Sequence, residues 1–180
     1  MSDPNLAQQI EQIAVHSTQA VDETQKAYST LEDTSDFLNS NAPRQFSSSV
    51  EAQASKLSSK LREANATADE LRDVVDSENG VIGAWSEVLY KEHDASDVEY
   101  EAIDAAASRV VGRIDSCRAA YDEVESCANQ TRSVLDSAEA SSVIGSAVDR
   151  ARKASREIGV IAVYIETQAS SVKQAIGNAI

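Results

Sequence analysis

Apolar residues recur along this chain at steps of three and four, the spacing that lines one face of an α-helix. Asp3 followed by Pro4 has the form of an N-cap and a first helical position. From there Leu6, Ile10, Ile13, Ala20, Val21, Tyr28, Leu31 and Leu38 keep to one stripe, with Ser17, Thr24 and Thr34 as weaker members. The spacing predicts a helix over 4–40, broken by Asn39-Ser-Asn-Ala-Pro-Arg, a run of cap and turn residues. A second stripe, Phe46, Val50, Leu57, Leu61, Ala64, Ala68, Leu71 and Val75, predicts a helix over 44–78. From Leu57 onward its steps alternate as a heptad seam does. Asn79-Gly80 has the composition of a helix C-terminus, so these two helices are expected to form an antiparallel hairpin.

Beyond Gly80, Ile82, Trp85, Val88 and Leu89 open a helical pattern that meets the polar stretch His93-Asp-Ala-Ser-Asp. Ser96 and Glu99 stand at capping-box spacing. The expectation is a short helix over 81–93 and a long one over 97–138, with one continuous helix as the alternative. Tyr100, Ile103, Ala107, Val110, Ile114, Cys117, Tyr121, Val124 and Val134 carry the stripe of the long helix. Ser141-Ser142 opens a last helix over 142–178, striped by Ile144, Val148, Ala151, Ser155, Ile158, Ala162, Ile165, Val172 and Ile176. The fold class is therefore all-α: an elongated antiparallel bundle or coiled coil of four long helices plus one short, in a single domain over 1–180.

Composition narrows this picture. Of the apolar residues 28 are Ala, while Val, Ile, Leu and Phe together number 38 of 180. Such a chain fills a compact core poorly and suits slender, closely spaced helices. Its prolines are Pro4 and Pro43, and it has six glycines. Interior Pro costs a helix ~3 kcal/mol and Gly ~1 kcal/mol, so their scarcity permits long helices.

A net charge of -14 argues against nucleic-acid binding, which rests on Lys and Arg. The acid excess is uneven: residues 140–180 carry three acids and five bases, and are the only positive stretch. Four of those bases, Arg150, Arg152, Lys153 and Arg156, cluster ahead of Ile158-Gly-Val-Ile-Ala-Val-Tyr-Ile, which is apolar on every side of a helix. A helix of that kind is buried by more than one neighbour or covered by another subunit. Ile158, Val160, Ile161, Val163, Tyr164 and Ile165, with the four bases, are thus the candidate interaction residues. No apolar run approaches the ~20 residues of a membrane span, and no secretory leader is recognisable. The expected location is cytoplasmic, or outside the cell without a cleaved signal peptide.

Catalytic, cofactor-binding and metal-binding patterns are absent. The two histidines, His16 and His93, fall in different helices, and there is no H-E-x-x-H, C-x-x-C or glycine-rich phosphate loop. Aligned on Gly80, an EF-hand loop would have Val75 and Ser86 where carboxylates are needed. Cys117 and Cys127, ten residues apart in one helix, would be ~15 Å apart, beyond disulfide reach. Two buried free thiols are expected, with an interchain bridge as the alternative.

Tyr28, Tyr90, Tyr100 and Tyr121 each have an acid four residues on: Glu32, Asp94, Asp104 and Glu125. On a helix each pair would share one face. The hairpin followed by Trp85, Tyr90 and Asp94 also resembles the helical substrates of bacterial type VII secretion, which carry a W-x-G turn and a downstream Y-x-x-x-[D/E] export signal. Here Trp85 is followed by Ser86-Glu87, so the glycine is missing. The resemblance implies export without a leader and makes Trp85, Tyr90 and Asp94 a candidate export motif. The leading expectation is a non-enzymatic structural or interaction protein that binds a protein partner, most simply itself, through its C-terminal helix. Lipid- or droplet-surface binding by an opening amphipathic bundle is the third expectation.

Overall fold

The computed structural model describes residues 3–45, 47–91, 93–135 and 137–179, with the side chains of 41–45 and 179 left aside. Four long helices account for nearly all of it: α1 Pro4–Gln45, α2 Ser48–Tyr90, α3 Tyr100–Val134 and α4 Ala138–Ala179, with a 3-10 turn at Ala95–Asp97. The fold is an all-α helical bundle, as the periodicity predicts.

Each helix buries a seam in steps of three and four. In α1 the buried positions Leu6, Ile10, Ile13, Ser17, Ala20, Thr24, Ala27, Leu31, Thr34 and Leu38 follow one unbroken heptad alternation. The hydroxyl residues that look weak in the sequence are therefore full seam members, and Val21 and Tyr28 are only half-buried. Asp3 caps α1 as expected, its carboxylate accepting the Leu6 N–H at 3.0 Å. Phe46, placed in the second stripe, lies outside the described residues.

The boundaries depart from expectation in four places. First, α1 runs through Asn39–Arg44, because a growing helix adds a bond for each residue fixed and needs a strong stop signal to end. Second, α2 passes through Asn79-Gly80 and Gly83 without a break, so the helix predicted over 81–93 is the last part of α2. Burial explains this: Ile82 and Leu89 are both fully buried on the α2 seam. At ~1.5–3 kcal/mol each that outweighs ~1 kcal/mol per helical Gly. The Asn79 amide is not a cap either; it donates to the Ala14 carbonyl at 3.4 Å and to Thr18 Oγ1 at 3.1 Å.

Third, α3 starts at Tyr100 rather than Asp97. The local cap is made by Asp94 and Asp97, the Asp94 N–H donating to Asp97 Oδ2 at 3.0 Å, so Ser96 sits inside the 3-10 turn. Buried Ala95 and Val98 hold that turn against the helices. Fourth, α3 ends at Val134 and α4 starts at Ala138. The cap of α4 is Ser137, whose hydroxyl accepts the Ala140 N–H at 3.3 Å, and Ser141-Ser142 lie within the helix.

Two compact units share these helices: residues 1–21, 70–115 and 159–180 form one, and 22–69 with 116–158 form the other. Each contains a stretch of all four. In the second unit, Asn65 Nδ2 donates to the Tyr28 carbonyl at 3.1 Å and the Ser35 and Ser58 hydroxyls meet at 2.7 Å, so α1 and α2 run antiparallel. There α2 meets α3 through Lys60–Glu123 at 3.0 Å, and α3 meets α4 through Arg152–Glu125 at 2.6 Å. In the first unit, Arg109 on α3 grips Glu78 on α2 with two bonds, Nε to Oε1 at 2.6 Å and Nη2 to Oε2 at 3.1 Å. Glu78 occupies a seam position between Val75 and Ile82 and is only 7% exposed. A carboxylate is tolerated there because both its oxygens are bonded by a guanidinium.

Candidate functional site

The apolar segment of α4 is divided by the bundle rather than enclosed by it. Ile158, Ile161, Ala162 and Ile165 turn inward and are buried, whereas Val160, Val163 and Tyr164 are 45%, 57% and 53% exposed. At 3.6 residues per turn these last three lie on one outward strip. A central core helix, covered on all sides, is thus not what α4 is.

The strip extends onto α1. The Tyr164 ring packs on His16 with centroids 5.5 Å apart and planes tilted by 37°, and His16 Nδ1 lies 3.1 Å from Gln19 Oε1. Val15, next to His16, is 43% exposed. Charge is scarce around it. On the outer side of α1 in this unit the exposed residues include Gln8, Gln12, Thr18 and Gln19, and on α4 Thr167, Ser170, Ser171 and Gln174. The α4 charges beyond the strip, Glu166 and Lys173, lean toward α3: Glu166 lines a groove with Asp104 and Asp115, and Lys173 Nζ lies 5.6 Å from the Tyr100 ring centroid. On α1 of this unit Glu11 receives the Tyr90 hydroxyl at 3.4 Å.

The four bases form no comparable face. Arg152 is tied to Glu125 of α3, which holds its guanidinium more firmly protonated. Arg156 lies 4.0 Å from its neighbour Glu157, and Arg150 and Lys153 border a shallow hollow with Glu23 and Lys26 of α1. They belong to the unit that does not contain the strip.

The tyrosine–acid pairs are mostly not made. Tyr100 does donate to Asp104 at 3.1 Å, within one helix. Tyr28 instead donates to Asp69 on α2 at 3.2 Å. Tyr121 is buried with no hydrogen-bond partner for its hydroxyl, and Glu125 serves Arg152. Tyr90 is the last residue of α2 and Asp94 precedes the 3-10 turn, so they do not share a helix. Trp85 is half-buried inside α2, five residues before its end, and is not at a turn.

Neither cysteine is in a disulfide and both are buried; Cys117 Sγ donates to the Thr67 carbonyl at 3.2 Å, and desolvation raises the Cys127 thiol above its ordinary range. Among the described residues no group of three or more His, Cys, Asp or Glu is placed to hold a metal ion. No helix there is long and apolar enough to cross a membrane. The apolar pattern of the sequence marks the α4 segment but not its continuation through Val15 and His16. An isolated Val beside a His gives no periodic signal; only the antiparallel pairing of α1 with α4 joins them. Compared with known proteins, the chain matches no family model, no curated protein and no solved structure.

Proposed function

We propose that the chain is a non-enzymatic interaction protein that docks on a protein partner through the outward strip of α4. The observation that carries this is the exposure of Val160, Val163 and Tyr164 on a surface where most exposed neighbours on α1 and α4 of the same unit are Gln, Ser and Thr, with the charges Glu166 and Lys173 on the side toward α3. Depletion of charge with retained aromatic and aliphatic surface is the compositional mark of an interface core, whereas an ordinary solvated helix face is laced with Lys and Glu. His16 holds the Tyr164 ring in place before docking, which lowers the entropy lost on binding.

A cysteine at position 163 tests the reading. Cys117 and Cys127 are 0% and 5% exposed, so the thiol of Val163→Cys is the accessible one for maleimide labelling. The expected result is fast labelling of the dilute purified chain and slow labelling at native abundance inside its cells. Equal rates in both settings would sink the reading.

A further inference from the structure

We infer that the partner seated on this strip is a second copy of the chain, forming a two-fold dimer in which the two α4 helices lie antiparallel across Val163. This rests on the docking role proposed above and adds the identity and register of the partner. Charge selects the surface. Each copy carries -14, so two copies repel wherever acidic faces approach, and the repulsion is least where both present uncharged residues. In the unit containing the strip, α2 and α3 bring Glu70, Asp73, Asp76, Glu87, Glu101 and Asp104 among others. The outer side of α1 and α4 offers Val15, Val160, Val163 and Tyr164 among Gln, Ser and Thr, and the α4 charges Glu166 and Lys173 stand on its α3 side. A basic partner would be drawn to the acidic faces, whereas a chain as acidic as this one meets least repulsion on the least charged face.

Self-complementarity supplies the register. A two-fold contact must match a patch to itself, so residue i meets j and j meets i. With the axis at Val163, antiparallel helices set Val163 against Val163 of the second copy and Val160 against Thr167, the positions three and four residues to either side. Tyr164, braced by His16, closes each end of the apolar centre. Every residue placed in this contact is exposed in the single chain, so dimer formation asks for no opening of the bundle.

The register makes a charge-swap experiment decisive. Sedimentation equilibrium of the full chain, from micromolar to millimolar, is expected to give a dimer mass at the upper end. Val163→Glu sets two carboxylates face to face and is expected to weaken the dimer at least about tenfold, as is Val163→Lys through two ammonium groups. Mixing the two variants pairs opposite charges and is expected to restore a dimer containing one of each. Circular dichroism checks that each variant keeps its helices, which an exposed site predicts, and Val160→Glu provides a second disrupting variant. A wild-type chain that stays monomeric throughout would overturn the inference, while protection of the position-163 thiol in cells would then still support docking on a different protein. A dimer indifferent to Val163→Glu would also overturn it, and loss in both variants without restoration in the mixture would overturn the placement of the axis.

Discussion

Several hydroxyl side chains in the core return their hydrogen bond to their own helix, while Ser35, Ser58, Asn65 and Glu78 bond to a neighbouring one. Ser17, Thr34 and Thr131 each donate to the carbonyl four residues back, at 2.7, 2.8 and 2.8 Å, and so cost the seam little. Tyr121 makes no such bond: it is 1% exposed and its hydroxyl is without a partner. A buried hydroxyl left unmade costs about 1–3 kcal/mol, so Tyr121→Phe, which keeps the ring, is expected to stabilise the chain by about 1 kcal/mol in urea or thermal unfolding. Burial also pushes the Tyr121 phenol well above its ordinary value of 10.0. The unfolded chain then loses this proton first as pH rises, so the folded state binds more protons and stability falls with increasing pH. The contribution is intact below about pH 10 and fades above it. The gap between Tyr121→Phe and wild type is therefore expected to widen on the alkaline side; a constant or shrinking gap refutes the assignment. None of this is legible in the sequence, where Tyr121 is one more member of a stripe with an acid four residues on. Glu78 was equally hidden, though its step of three from Val75 and four to Ile82 was the signal that placed it in the seam.

Individual helices follow their seams more faithfully than their punctuation. Asn79-Gly80 has the composition of a helix end, yet the stripe continues beneath it through Ile82 to Leu89, and burying those two residues decides the outcome. A Cβ at Gly80 or Gly83 would have nothing within 4 Å, and neither residue lies in the left-handed region. Gly80→Ala and Gly83→Ala are therefore each expected to raise stability by about 0.5–1 kcal/mol. Had α2 stopped at Gly80 in a left-handed cap, Gly80→Ala would destabilise, so the sign of the change in Tm discriminates the two structures. A helix cap is legible in the sequence where one side chain suffices, as at Asp3, and ambiguous where several serines compete. Ser137, Ser141 and Ser142 all have the chemistry of an N-cap, and it is the buried Leu135 and Ala140 that set which one turns the chain.

Across the whole molecule, the two units are unequal in what they bury. Among the described residues, the unit of 22–69 and 116–158 buries ten large apolar side chains, against fifteen in the other. It also buries Thr24, Thr34, Ser35, Ser58, Asn65, Thr131 and Ser155, where the other buries Ser17, Glu78 and Ser86. Less apolar area removed from water means a smaller free energy of local opening. Native-state hydrogen exchange is expected to show the amides of 57–68 and 117–128 opening at lower denaturant than those of 71–82 and 103–114. A single common opening energy would refute this asymmetry. The candidate surface lies in the better-packed unit, which suits a site that must present a fixed shape.

What the sequence by itself determined is the periodic part of this protein: four long helices, their seams, an acidic surface, and an α4 segment with more apolar residues than one seam needs. Periodicity is a local property, because steps of three and four return to one helix face whatever lies against it. Only the tertiary structure decided which side of Ile158–Ile165 is covered, that Val15 and His16 continue the exposed strip, that Arg109 rescues Glu78, and that Gly80 ends nothing. Each of these depends on a neighbour far away in the chain, and the free energy of meeting that neighbour outweighs the local preference of the residue concerned.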